Sequence, residues 1–578
     1  MQKLRGGQLL ARALRDKEIK NVFTLAGGFC NPALEGFMDC QIPVINCPHE
    51  QIAGHLADGH ARITRQPTVC LVGPEGFSNA VPAMMEAWGE RSPVIFVTGS
   101  STKKREGAGG FKEIDDVAIA APLTKYSVSI SDGNRIREFV DRAWKIAING
   151  YPGPVHLSLP VDIMFGSFEE NPEPTERPLK LKPVQRPRAW PDPAILNHVI
   201  DLIKRSKNPI FIGGHGVWWS RNEEKLGMAG EKLNIPIFNI PYHQKLLNEN
   251  CKAYMGLADI HQYAPSKFAL HSSDCIIMLG CRLDNQMNFG NPPLIPTKAT
   301  LICVNGSDEE VNFNRSADEI LLSDPGAFLD ALMDKFVESE WSIEDAWMEE
   351  NIQARKEWVE NTLDKLDIET SKKNWSGGII HPLKLSLEVQ NAMNDGDWLV
   401  FDGGNTHFWS EIAVNIAAER GRIFGGILHP GSYSLLGVGV SFALSAKNIH
   451  PDKTVVLISG DGAFLSGGLS IESAFQEKLP IVVVIDNNGG LDCISQQQER
   501  LFSSGTHFAT DFRDIPFHGL FEGMGGYGEL VTHRDDICAA VKRAIASGKP
   551  ACVNVKARGV ISPIVAATSD KRDKASIE

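Results

Sequence analysis

Short apolar runs of strand length alternate with helical patterns along most of the chain. This alternation is typical of parallel sheets whose two faces are covered by helices. The runs lie at residues 44–46, 69–72 and 94–98, at 210–213, 235–239, 275–279 and 301–304, and at 398–401, 455–459, 481–486 and 551–555. The pattern therefore predicts an α/β protein with three doubly wound parallel-sheet domains.

Two polar segments divide the pattern. Seven prolines stand among charged residues between 171 and 193, which predicts an extended linker. A second polar segment at 367–378 ends in Ser-Gly-Gly. We predict an N-terminal domain at 1–170, a linker at 171–193, a middle domain at 194–345, a helix and linker at 346–378, a C-terminal domain at 379–560 and a tail at 561–578.

The first and last domains share a repeat at an offset of 456 − 69 = 387 positions. This shift aligns Val-Cys-Leu-Val-Gly-Pro-Glu-Gly from residue 69 with Val-Leu-Ile-Ser-Gly-Asp-Gly-Ala from residue 456. It also aligns 92–97 with 479–484 without a gap. The shared unit is a strand, a glycine turn, a helix and a second strand, so we expect two related domains. They differ at Pro74 and Asp461, where the later copy gains a carboxylate.

Composition and charge exclude several classes of protein. The 578 residues are 43% apolar and 22% charged, which is typical of globular domains and not of disordered or coiled-coil chains. The net charge of −13 disfavours a nucleic-acid or anionic-membrane binder. Eleven cysteines without a Cys-x-x-Cys pair suit a reducing compartment. With no signal-peptide pattern and no run of about 18 apolar residues, we expect a cytoplasmic protein.

The strongest candidate chemistry is Gly460-Asp461-Gly462, followed 488 − 461 = 27 positions later by Asn488. Each comes at the end of an apolar strand, and the carboxyl ends of parallel strands share one edge of a sheet, where ligands bind. Carboxylate, amide and carbonyl oxygens suit Mg²⁺, while glycines and helix N-H groups suit phosphate. Two tight turns without a ligand remain the alternative.

These residues resemble the thiamine-diphosphate motif of the family that includes acetolactate synthase, pyruvate decarboxylase and benzaldehyde lyase. The resemblance is closest to benzaldehyde lyase and extends from Gly6 to about Val555. It implies that Asp461, Asn488 and the carbonyl of Gly490 hold Mg²⁺ against the diphosphate. The implied cofactor-binding residues are Gly404, Asn405, Thr406, Ser434, Leu436, Gly460, Asp461, Gly462, Ala463, Asn488 and Gly490.

Two further segments resemble the family. The helix that begins near Glu50 resembles the one whose glutamate bonds to N1′ of the aminopyrimidine and drives deprotonation of the thiazolium C2, so the resemblance implies that Glu50 is catalytic. The alternative is a carboxylate that only stabilises a helix N-terminus. The segment 428–439 resembles the one that bends the cofactor, which implies that Leu436 is the apolar wedge and that Ser434 offers a carbonyl to the 4′-amino group.

Departures from the family suggest a polar substrate. The histidines of benzaldehyde lyase are missing around Phe29, which is also a candidate substrate residue, and the adjacent histidine pair of pyruvate decarboxylase is missing too. A glutamine of the acetolactate group is replaced by Lys112. We expect Lys112 and Gln497 to receive a hydroxylated, keto or carboxylated substrate, with His407 as a proton carrier and Cys493 nearby. The alternative is that Lys112 pairs with Glu113 or Asp115.

The resemblance implies a thiamine-diphosphate- and Mg²⁺-dependent carbon–carbon lyase or carboligase. It would act on acyloins, aldehydes or 2-keto acids through an enamine carbanion. An acetolactate-synthase-like decarboxylating transferase and a non-catalytic relative are the alternatives. The family implies a homodimer as the minimum active unit and a homotetramer as the assembly. For the glycine turn at 212–216 in the middle domain we expect a structural role and no FAD.

Overall fold

The computed structural model describes residues 3–169, 188–240, 247, 250–338, 340–502 and 505–575. Most of the predicted linker, residues 171–187, lies outside this range. The strands are β1 (Lys3–Arg5), β2 (Val22–Thr24), β3 (Val44–Asn46), β4 (Thr68–Val72), β5 (Val94–Ser100), β6 (Ser127–Ser129), β7 (Val155–Pro160), β8 (Ser167–Glu169), β9 (Pro209–Gly213), β10 (Ile237–Asn239), β11 (Tyr254–Leu257), β12 (Cys275–Leu279), β13 (Thr300–Asn305), β14 (Glu319–Leu322), β15 (Trp398–Asp402), β16 (Gly426–Leu428), β17 (Val455–Gly460), β18 (Val482–Asn487), β19 (Tyr527–Val531) and β20 (Ala551–Lys556).

Helices connect these strands and cover the sheets. The α-helices are α1 (Gly6–Arg15), α2 (Asn31–Asp39), α3 (Glu50–Thr64), α4 (Pro74–Gly89), α5 (Asp116–Ala120), α6 (Ile136–Ile148), α7 (Val161–Met164), α8 (Pro193–Arg205), α9 (His215–Trp219), α10 (Glu223–Leu233), α11 (Ala264–Ser272), α12 (Pro325–Glu338), α13 (Asp345–Thr370), α14 (Pro382–Ala392), α15 (Asn405–Glu419), α16 (Gly439–Ile449), α17 (Asp461–Gly467), α18 (Ile471–Gln476), α19 (Asp492–Leu501), α20 (Phe517–Gly523), α21 (Ile537–Ala546) and α22 (Pro563–Ala575). Short 3₁₀ helices lie at Gly28–Cys30, Lys103–Arg105, Ala121–Leu123, Gly133–Arg135, Asn285–Gly290, Lys373–Trp375, Gly468–Ser470 and Arg534–Asp536.

Three six-stranded parallel sheets confirm the predicted fold class, and every predicted apolar run coincides with a strand. The N-terminal sheet has the order β3-β2-β4-β5-β7-β6, and the C-terminal sheet has the order β16-β15-β17-β18-β20-β19. Counted from the first strand of each sheet, both orders read 2-1-3-4-6-5. β17 begins 455 − 68 = 387 positions after β4, so the repeat found in the sequence is a repeat of topology.

The middle sheet has a different order, β11-β10-β9-β12-β13-β14, which reads 3-2-1-4-5-6. That is the strand order of a dinucleotide-binding fold, with its switch point between β9 and β12. An antiparallel pair, β1 with β8, lies outside the three sheets.

The contacts divide the chain into two compact units. The first contains 1–187 together with 431–450 and 469–477, and the second contains 188–430, 451–468 and 478–578. Two segments of the predicted C-terminal domain therefore belong to the first unit, where α16 packs on α3. Within the described residues, no helix is both long and apolar enough to cross a membrane.

The central strands of each sheet are fully buried, because helices cover both faces. In the C-terminal sheet, all of β15, β17 and β18 is buried, and the alternating apolar side chains form a core with α14 and α21. The N-terminal sheet has an equivalent core with α1 and α6. Because these strands are rigid, the loops at their carboxyl ends hold side chains in fixed positions.

Candidate active site

The turn between β17 and α17 holds Asp461 in the second unit. Its Oδ2 accepts hydrogen bonds from the backbone N-H groups of Gly489 and Gly490, at 2.8 and 3.1 Å, and its Oδ1 accepts one from Gly462 at 2.7 Å. The two glycines follow β18, the neighbour of β17 in the sheet. The carboxylate therefore joins the two strand ends, as the sequence pattern predicts for ligands at this edge.

The two asparagines at the end of β18 have different surroundings. The amide of Asn487 donates to Oδ1 of Asn554 at 2.9 Å and to the carbonyl of Ile515 at 3.2 Å. The Oδ1 of Asn488 is buried and has no hydrogen-bond partner among the described residues. A buried amide oxygen without a partner is costly. The protein thus satisfies the amide of Asn487 and leaves the oxygen of Asn488 without a partner, and the role of Asn488 as a metal ligand stays a prediction.

Buried carboxylates are concentrated at this edge of the sheet. Burial, with a smaller contribution from the charge of Asp461, raises the pKa of Asp486 to about 7 and that of Asp492 to about 6. Burial also raises the pKa of Asp461, although three backbone amides oppose the shift. A divalent cation would offset this clustered negative charge, so the donor set of Asp461, Asn488 and the Gly490 carbonyl fits Mg²⁺.

The first turn of α15 faces the same edge. The Asn405 side chain donates to Asp492 at 3.0 Å and accepts from the N-H of Ser562 at 3.0 Å. Thr406 donates to Asp486 at 2.9 Å. These side chains are held by the protein, so the groups left for a diphosphate are backbone N-H groups that follow Gly404, the residue before the helix. Contact between this turn and a diphosphate stays a prediction.

Three glycines at this edge of the C-terminal sheet are closely packed by neighbouring side chains. A Cβ on Gly404 would lie 2.9 Å from Cβ of Cys493, one on Gly460 would lie 3.1 Å from Oγ1 of Thr406, and one on Gly462 would lie 2.6 Å from Leu491. Ala463, the next residue of α17, is 2% exposed. A side chain at any of these three glycines would press against its neighbour, so the turns can pack this closely only around glycine.

Glu50 is the first residue of α3, in the first unit, and is only 7% exposed. Its Oε2 accepts a hydrogen bond of 3.0 Å from the side chain of Asn79 on α4. A Cβ on Gly76 would lie 2.6 Å from Cγ and Oε1 of Glu50, so that glycine leaves the space which the carboxylate fills. His49 precedes the helix and accepts from the N-H of Gln51 at 3.2 Å. The carboxylate of Glu50 is therefore held in one orientation, and the sequence alone did not predict its partner Asn79.

The segment that contains Ser434 and Leu436 is also in the first unit. The N-H of Gly431 donates to Glu86 at 2.7 Å, and the N-H of Ser432 donates to Glu90 at 2.9 Å, which fixes the segment to α4 and the loop after it. Ser434 has a φ of 51°, a left-handed conformation that turns the chain sharply before Leu436. Leu436 is half-buried. The wedge role of Leu436 stays a prediction.

Lys112 lies above an aromatic pair in the first unit. Its ammonium is 5.8 Å from the ring centre of Phe29 and 5.1 Å from that of Phe111. It forms an ion pair with Glu75 at 2.5 Å. Burial raises the pKa of Glu75, but the hydrogen bond and the charge of Lys112, together with a backbone N-H group, outweigh burial and lower the pKa overall.

The alternative pairing of Lys112 with Glu113 or Asp115 is therefore wrong. Glu113 accepts hydrogen bonds from the backbone of Gly107 and Gly110, and Asp115 caps α5 through the N-H of Ala118. Lys112 itself has a φ of 58°, and its ammonium pairs with Glu75 at the start of α4.

The remaining predicted substrate residues lie in the second unit. The Gln497 amide is one helical turn from Cys493 on α19, 3.9 Å from its sulfur, and both residues are half-buried. His407 is 1% exposed, and its Nε2 lies 3.3 Å from Oε1 of Glu411. It stacks on His429 with ring centres 5.0 Å apart. Its ring thus faces a buried cluster, and a role towards substrate stays a prediction.

The glycine turn of the middle domain is filled by protein. A Cβ on Gly214 would lie 2.8 Å from the sulfur of Cys281, and one on Gly280 would lie 2.4 Å from Cα of Gly216. Gly216 and Gly280 thus pack directly against each other at the switch point of this sheet. The packing favours a structural role for the turn, and the expectation that no FAD binds stays a prediction.

Comparison with known protein families identifies the family to which this chain belongs. Residues 4–119 match the thiamine pyrophosphate enzyme N-terminal TPP binding domain, 196–332 match the central domain, and 402–555 match the C-terminal TPP binding domain. The chain belongs to the thiamine pyrophosphate enzyme family. Glu50 and Asp461 lie in its two TPP-binding domains, in agreement with the resemblance found in the sequence.

Named relatives of this thiamine pyrophosphate enzyme include synthases and lyases. A probable acetolactate synthase large subunit of Methanococcus aeolicus is 27% identical over 95% of this chain and 91% of the relative. The acetolactate synthase large subunit of Mycobacterium tuberculosis is 28% identical over 96% of both chains. The 2-hydroxyacyl-CoA lyase 2 of Homo sapiens is 26% identical over 95% of this chain and 89% of the relative. The expected closeness to benzaldehyde lyase stays a prediction.

Proposed function

We propose that this thiamine pyrophosphate enzyme is a Mg²⁺-dependent carbon–carbon bond lyase or carboligase that acts on 2-hydroxyketones, aldehydes or 2-keto acids. The observation that carries the proposal is the buried, unpartnered Oδ1 of Asn488 beside the carboxylate of Asp461. In a non-catalytic relative that kept the fold only for assembly, this unsatisfied oxygen would lower stability without any gain in function.

The residues that would hold Mg²⁺ are Asp461, Asn488 and Gly490. Asp461 offers a carboxylate, Asn488 an amide oxygen and Gly490 a backbone carbonyl. Few protein ligands, completed by phosphate oxygens and water, are what Mg²⁺ prefers. The backbone N-H groups after Gly404 lie on a helix of 15 residues, which supports binding of the diphosphate.

Thiamine diphosphate, when bound, would supply an acidic carbon that becomes a nucleophile towards a carbonyl once it has lost its proton, and a ring that accepts the electron pair of the bond that breaks. Glu50 holds a proton at N1′ of the aminopyrimidine and returns it, which makes the neighbouring amino nitrogen a base for that carbon. Asn79 and Gly76 keep the carboxylate in one orientation for this transfer. Leu436 positions the aminopyrimidine, and the carbonyl of Ser434 accepts from its amino group.

The substrate we propose is polar. The contacts of Lys112 support this, because an ammonium above two aromatic rings and beside Glu75 presents a cation next to an apolar surface. In the second unit, Gln497 offers an amide and Cys493 a thiol. This set suits a donor with a hydroxyl, keto or carboxylate group next to the reacting carbonyl.

A decarboxylating synthase of the acetolactate type is the second candidate. Synthases and lyases both occur among the named relatives, at 24–28% identity. The two reactions differ in their products. A lyase splits an acyloin or a 2-hydroxyacyl compound into two carbonyl products, whereas a synthase releases CO₂ from a 2-keto acid and joins the remainder to an acceptor.

A panel of donors and acceptors with Mg²⁺ and thiamine diphosphate tests the proposal. Pyruvate, simple acyloins, 2-hydroxyacyl thioesters and aldehydes are each incubated with the enzyme, and CO₂, aldehydes and chiral 2-hydroxyketones are measured. Aldehyde release or ligation without CO₂ supports the lyase, and CO₂ with acetolactate supports the synthase. Neither product from any donor, with tight binding of the cofactor, would contradict both.

We also propose that two chains build each site. Glu50 lies in the matched N-terminal TPP binding domain, whereas Asp461 and Asn488 lie in the matched C-terminal TPP binding domain. The family implies that a homodimer is the minimum active unit and that dimers form a tetramer. Each dimer then has two sites, and in each site Glu50 comes from one chain and Asp461 from the other.

Mixing two inactive variants tests this arrangement. Glu50→Gln and Asp461→Ala chains are unfolded, mixed and refolded together. In a mixed dimer one site carries both changes and the other carries neither, so about a quarter of wild-type activity returns when chains pair at random. No recovery in mixed dimers that have been isolated with two different tags would show that each chain builds its own site.

The free cysteines support a reducing compartment. All eleven cysteines have free thiols, and most of them are buried. Buried thiols that never pair are typical of proteins from a reducing environment. We therefore propose the cytoplasm as the location, with small carbonyl compounds as partners and no nucleic acid.

A further inference from the structure

A second cluster of metal-binding side chains lies in the interior of the second unit. It consists of His407, Glu411 and His429, which we call the His-Glu-His cluster. All three residues are buried, at 1%, 7% and 4% exposure. One nitrogen of each histidine and one carboxylate oxygen lie within 4.8 Å of one another. None of these three residues belongs to the proposed Mg²⁺ site.

The elements that carry the cluster are rigid. His407 and Glu411 are one turn apart on α15, so both side chains point from the same face of the helix. His429 directly follows β16, which pairs in parallel with β15, the strand before that helix. The distance of 3.3 Å between Nε2 of His407 and Oε1 of Glu411 is close to the separation of about 3.4 Å between two ligands of a tetrahedral ion at 2.0–2.1 Å.

Hydrogen bonds around the cluster orient two of the ligands. Nδ1 of His429 lies 2.8 Å from the carbonyl of Pro430, and since a carbonyl can only accept, Nδ1 must carry the proton. When the ring is neutral, the lone pair of His429 is therefore on Nε2. Gln262 donates to Oε2 of Glu411 at 2.8 Å, which leaves Oε1 directed at His407. Such outer hydrogen bonds are typical of metal ligands.

The charge of the cluster needs a counterion. Within the part of the chain that the structure describes, the ion pairs of Glu411 involve histidine and no lysine or arginine. A buried carboxylate is costly unless it is neutralised. The counterion is therefore either a proton on an imidazole or a bound cation.

An adjoining cavity gives an independent sign of a ligand. A space of about 40 Å³ is lined by Glu411, His429, Asn415 and Asn239, together with apolar side chains. Asn239 is 1% exposed, and its Oδ1 has no hydrogen-bond partner among the described residues. About 10–15 Å³ is enough for one water molecule, so the cavity can supply water as a fourth ligand, or Asn239 can supply its oxygen.

We propose that His407, Glu411 and His429 bind a divalent transition-metal ion of the zinc class, as a structural site that joins the first helix of the C-terminal sheet to the middle domain. Two imidazoles and one carboxylate are the ligand set that zinc takes with three protein ligands and one open position. Mg²⁺ prefers oxygen ligands to imidazole nitrogens. We therefore expect Mg²⁺ at the diphosphate edge and the zinc-class ion at the His-Glu-His cluster. The middle domain contributes Gln262 and Asn239.

Cobalt titration tests the site directly. The full-length protein is stripped with EDTA, saturated again with Mg²⁺ and thiamine diphosphate, and titrated with Co²⁺, whose visible absorption reports nitrogen ligands. We expect one equivalent of Co²⁺ per chain, which Zn²⁺ displaces and excess Mg²⁺ does not. We also expect Zn²⁺ to raise the midpoint of thermal unfolding. No bound equivalent in the wild type would overturn the proposal and leave a shared proton as the counterion.

Four variants locate the bound ion. His429→Gln and Glu411→Gln each remove a ligand and should abolish the stoichiometric equivalent, and Gln262→Met should weaken it about 10- to 100-fold. His381→Asn is the matched control, because His381 is a buried histidine of the same domain outside the cluster, and it should retain the equivalent. Retention of the equivalent in a folded His429→Gln protein would contradict the assignment.

One further variant separates this inference from the proposed function. Asp461→Asn removes a ligand of the proposed Mg²⁺ site but none of the His-Glu-His cluster. It should lose cofactor binding and still bind one equivalent of Co²⁺. Loss of the cobalt signal together with cofactor binding would show that the metal binds at the diphosphate edge instead.

Discussion

Asn79 donates a hydrogen bond of 3.0 Å to Oε2 of Glu50, where the N-terminus of α3 meets the first turns of α4. The bond fixes one carboxylate oxygen, and Gly76 packs against the other. Proton transfer between a carboxylate and a ring nitrogen requires a defined distance and direction. The pair therefore links the packing of two helices to the proposed chemistry.

Asn79→Ala should slow the reaction without preventing cofactor binding. Glu50 loses the partner that orients it, so we expect a fall of about tenfold in the rate of proton exchange at C2 of the cofactor, with a change below about twofold in cofactor affinity. Exchange is measured by quenched-flow NMR. Ser78→Ala is the control, because Ser78 is on the same helix but donates to the carbonyl of Glu75. Equal exchange rates in Asn79→Ala and Ser78→Ala would contradict the positioning role.

Alanine substitutions at Asn487 and Asn488 should have opposite consequences. Asn488→Ala removes an unpartnered oxygen, so the stability of the cofactor-free protein should hardly change while Mg²⁺-dependent cofactor binding weakens strongly. Asn487→Ala removes one buried and one partly buried hydrogen bond and should cost about 1–3 kcal/mol of unfolding free energy. Calorimetric titration and denaturant unfolding measure the two effects. A large loss of stability in Asn488→Ala would mean that its oxygen has a structural partner.

Lys112→Met should change the choice of donor. If the ammonium binds a carboxylate or keto group of the substrate, its loss should lower kcat/KM for such donors about 10- to 100-fold and leave neutral aldehydes within about twofold. Lys104→Met, at an exposed lysine of the same loop region, is the control. Unchanged selectivity in Lys112→Met would mean that the lysine serves only its pair with Glu75.

Buried His156 should make the protein sensitive to acid. Burial lowers the pKa of His156 from 6.5 to about 3, and its ring lies within hydrogen-bonding distance of Thr98 and Ser127. Between these two pH values the unfolded chain binds a proton that the folded chain does not. The contribution of His156 to stability is therefore complete above pH 6.5 and falls as the pH drops, by up to about 1.4 kcal/mol per pH unit.

His156→Gln should flatten that dependence. The variant lacks the imidazole that must stay neutral in the folded protein. Its unfolding free energy should therefore fall less steeply than that of the wild type as the pH drops from 6.5 to about 3. His198→Gln is the control, because the His198 side chain is 58% exposed. Parallel stability curves for wild type and His156→Gln, measured in urea at several pH values, would refute this role.

The sequence could predict those parts of the molecule that depend on neighbours along the chain. Asp461 and Asn488 were found because each follows an apolar strand, and the strand ends of a parallel sheet must share an edge. The repeat at 387 positions predicted two related sheets, because strand, turn and helix lengths are preserved together. The identical strand orders confirm that prediction.

Contacts between distant segments could not be predicted in this way. The partner of Lys112 is 37 residues away in the sequence. The acidic residues close to Lys112 in the sequence accept hydrogen bonds from backbone N-H groups instead. The contact of His407 with His429 depends on how β16 lies beside β15, and the sequence alone suggested a substrate role for that histidine. The Gly431–His450 segment packs with the first unit because α16 meets α3, which no composition boundary indicates.

The rate of hydrogen exchange at C2 of bound thiamine diphosphate, compared between wild type and Glu50→Gln, tests the central claim most directly. Both proteins are saturated with cofactor and Mg²⁺ in deuterated buffer, quenched in acid and analysed by NMR. The account predicts fast exchange in the wild type and a loss of about 10²- to 10⁴-fold in Glu50→Gln, with cofactor affinity and thermal unfolding retained. Exchange at the wild-type rate in a cofactor-saturated Glu50→Gln protein would contradict it.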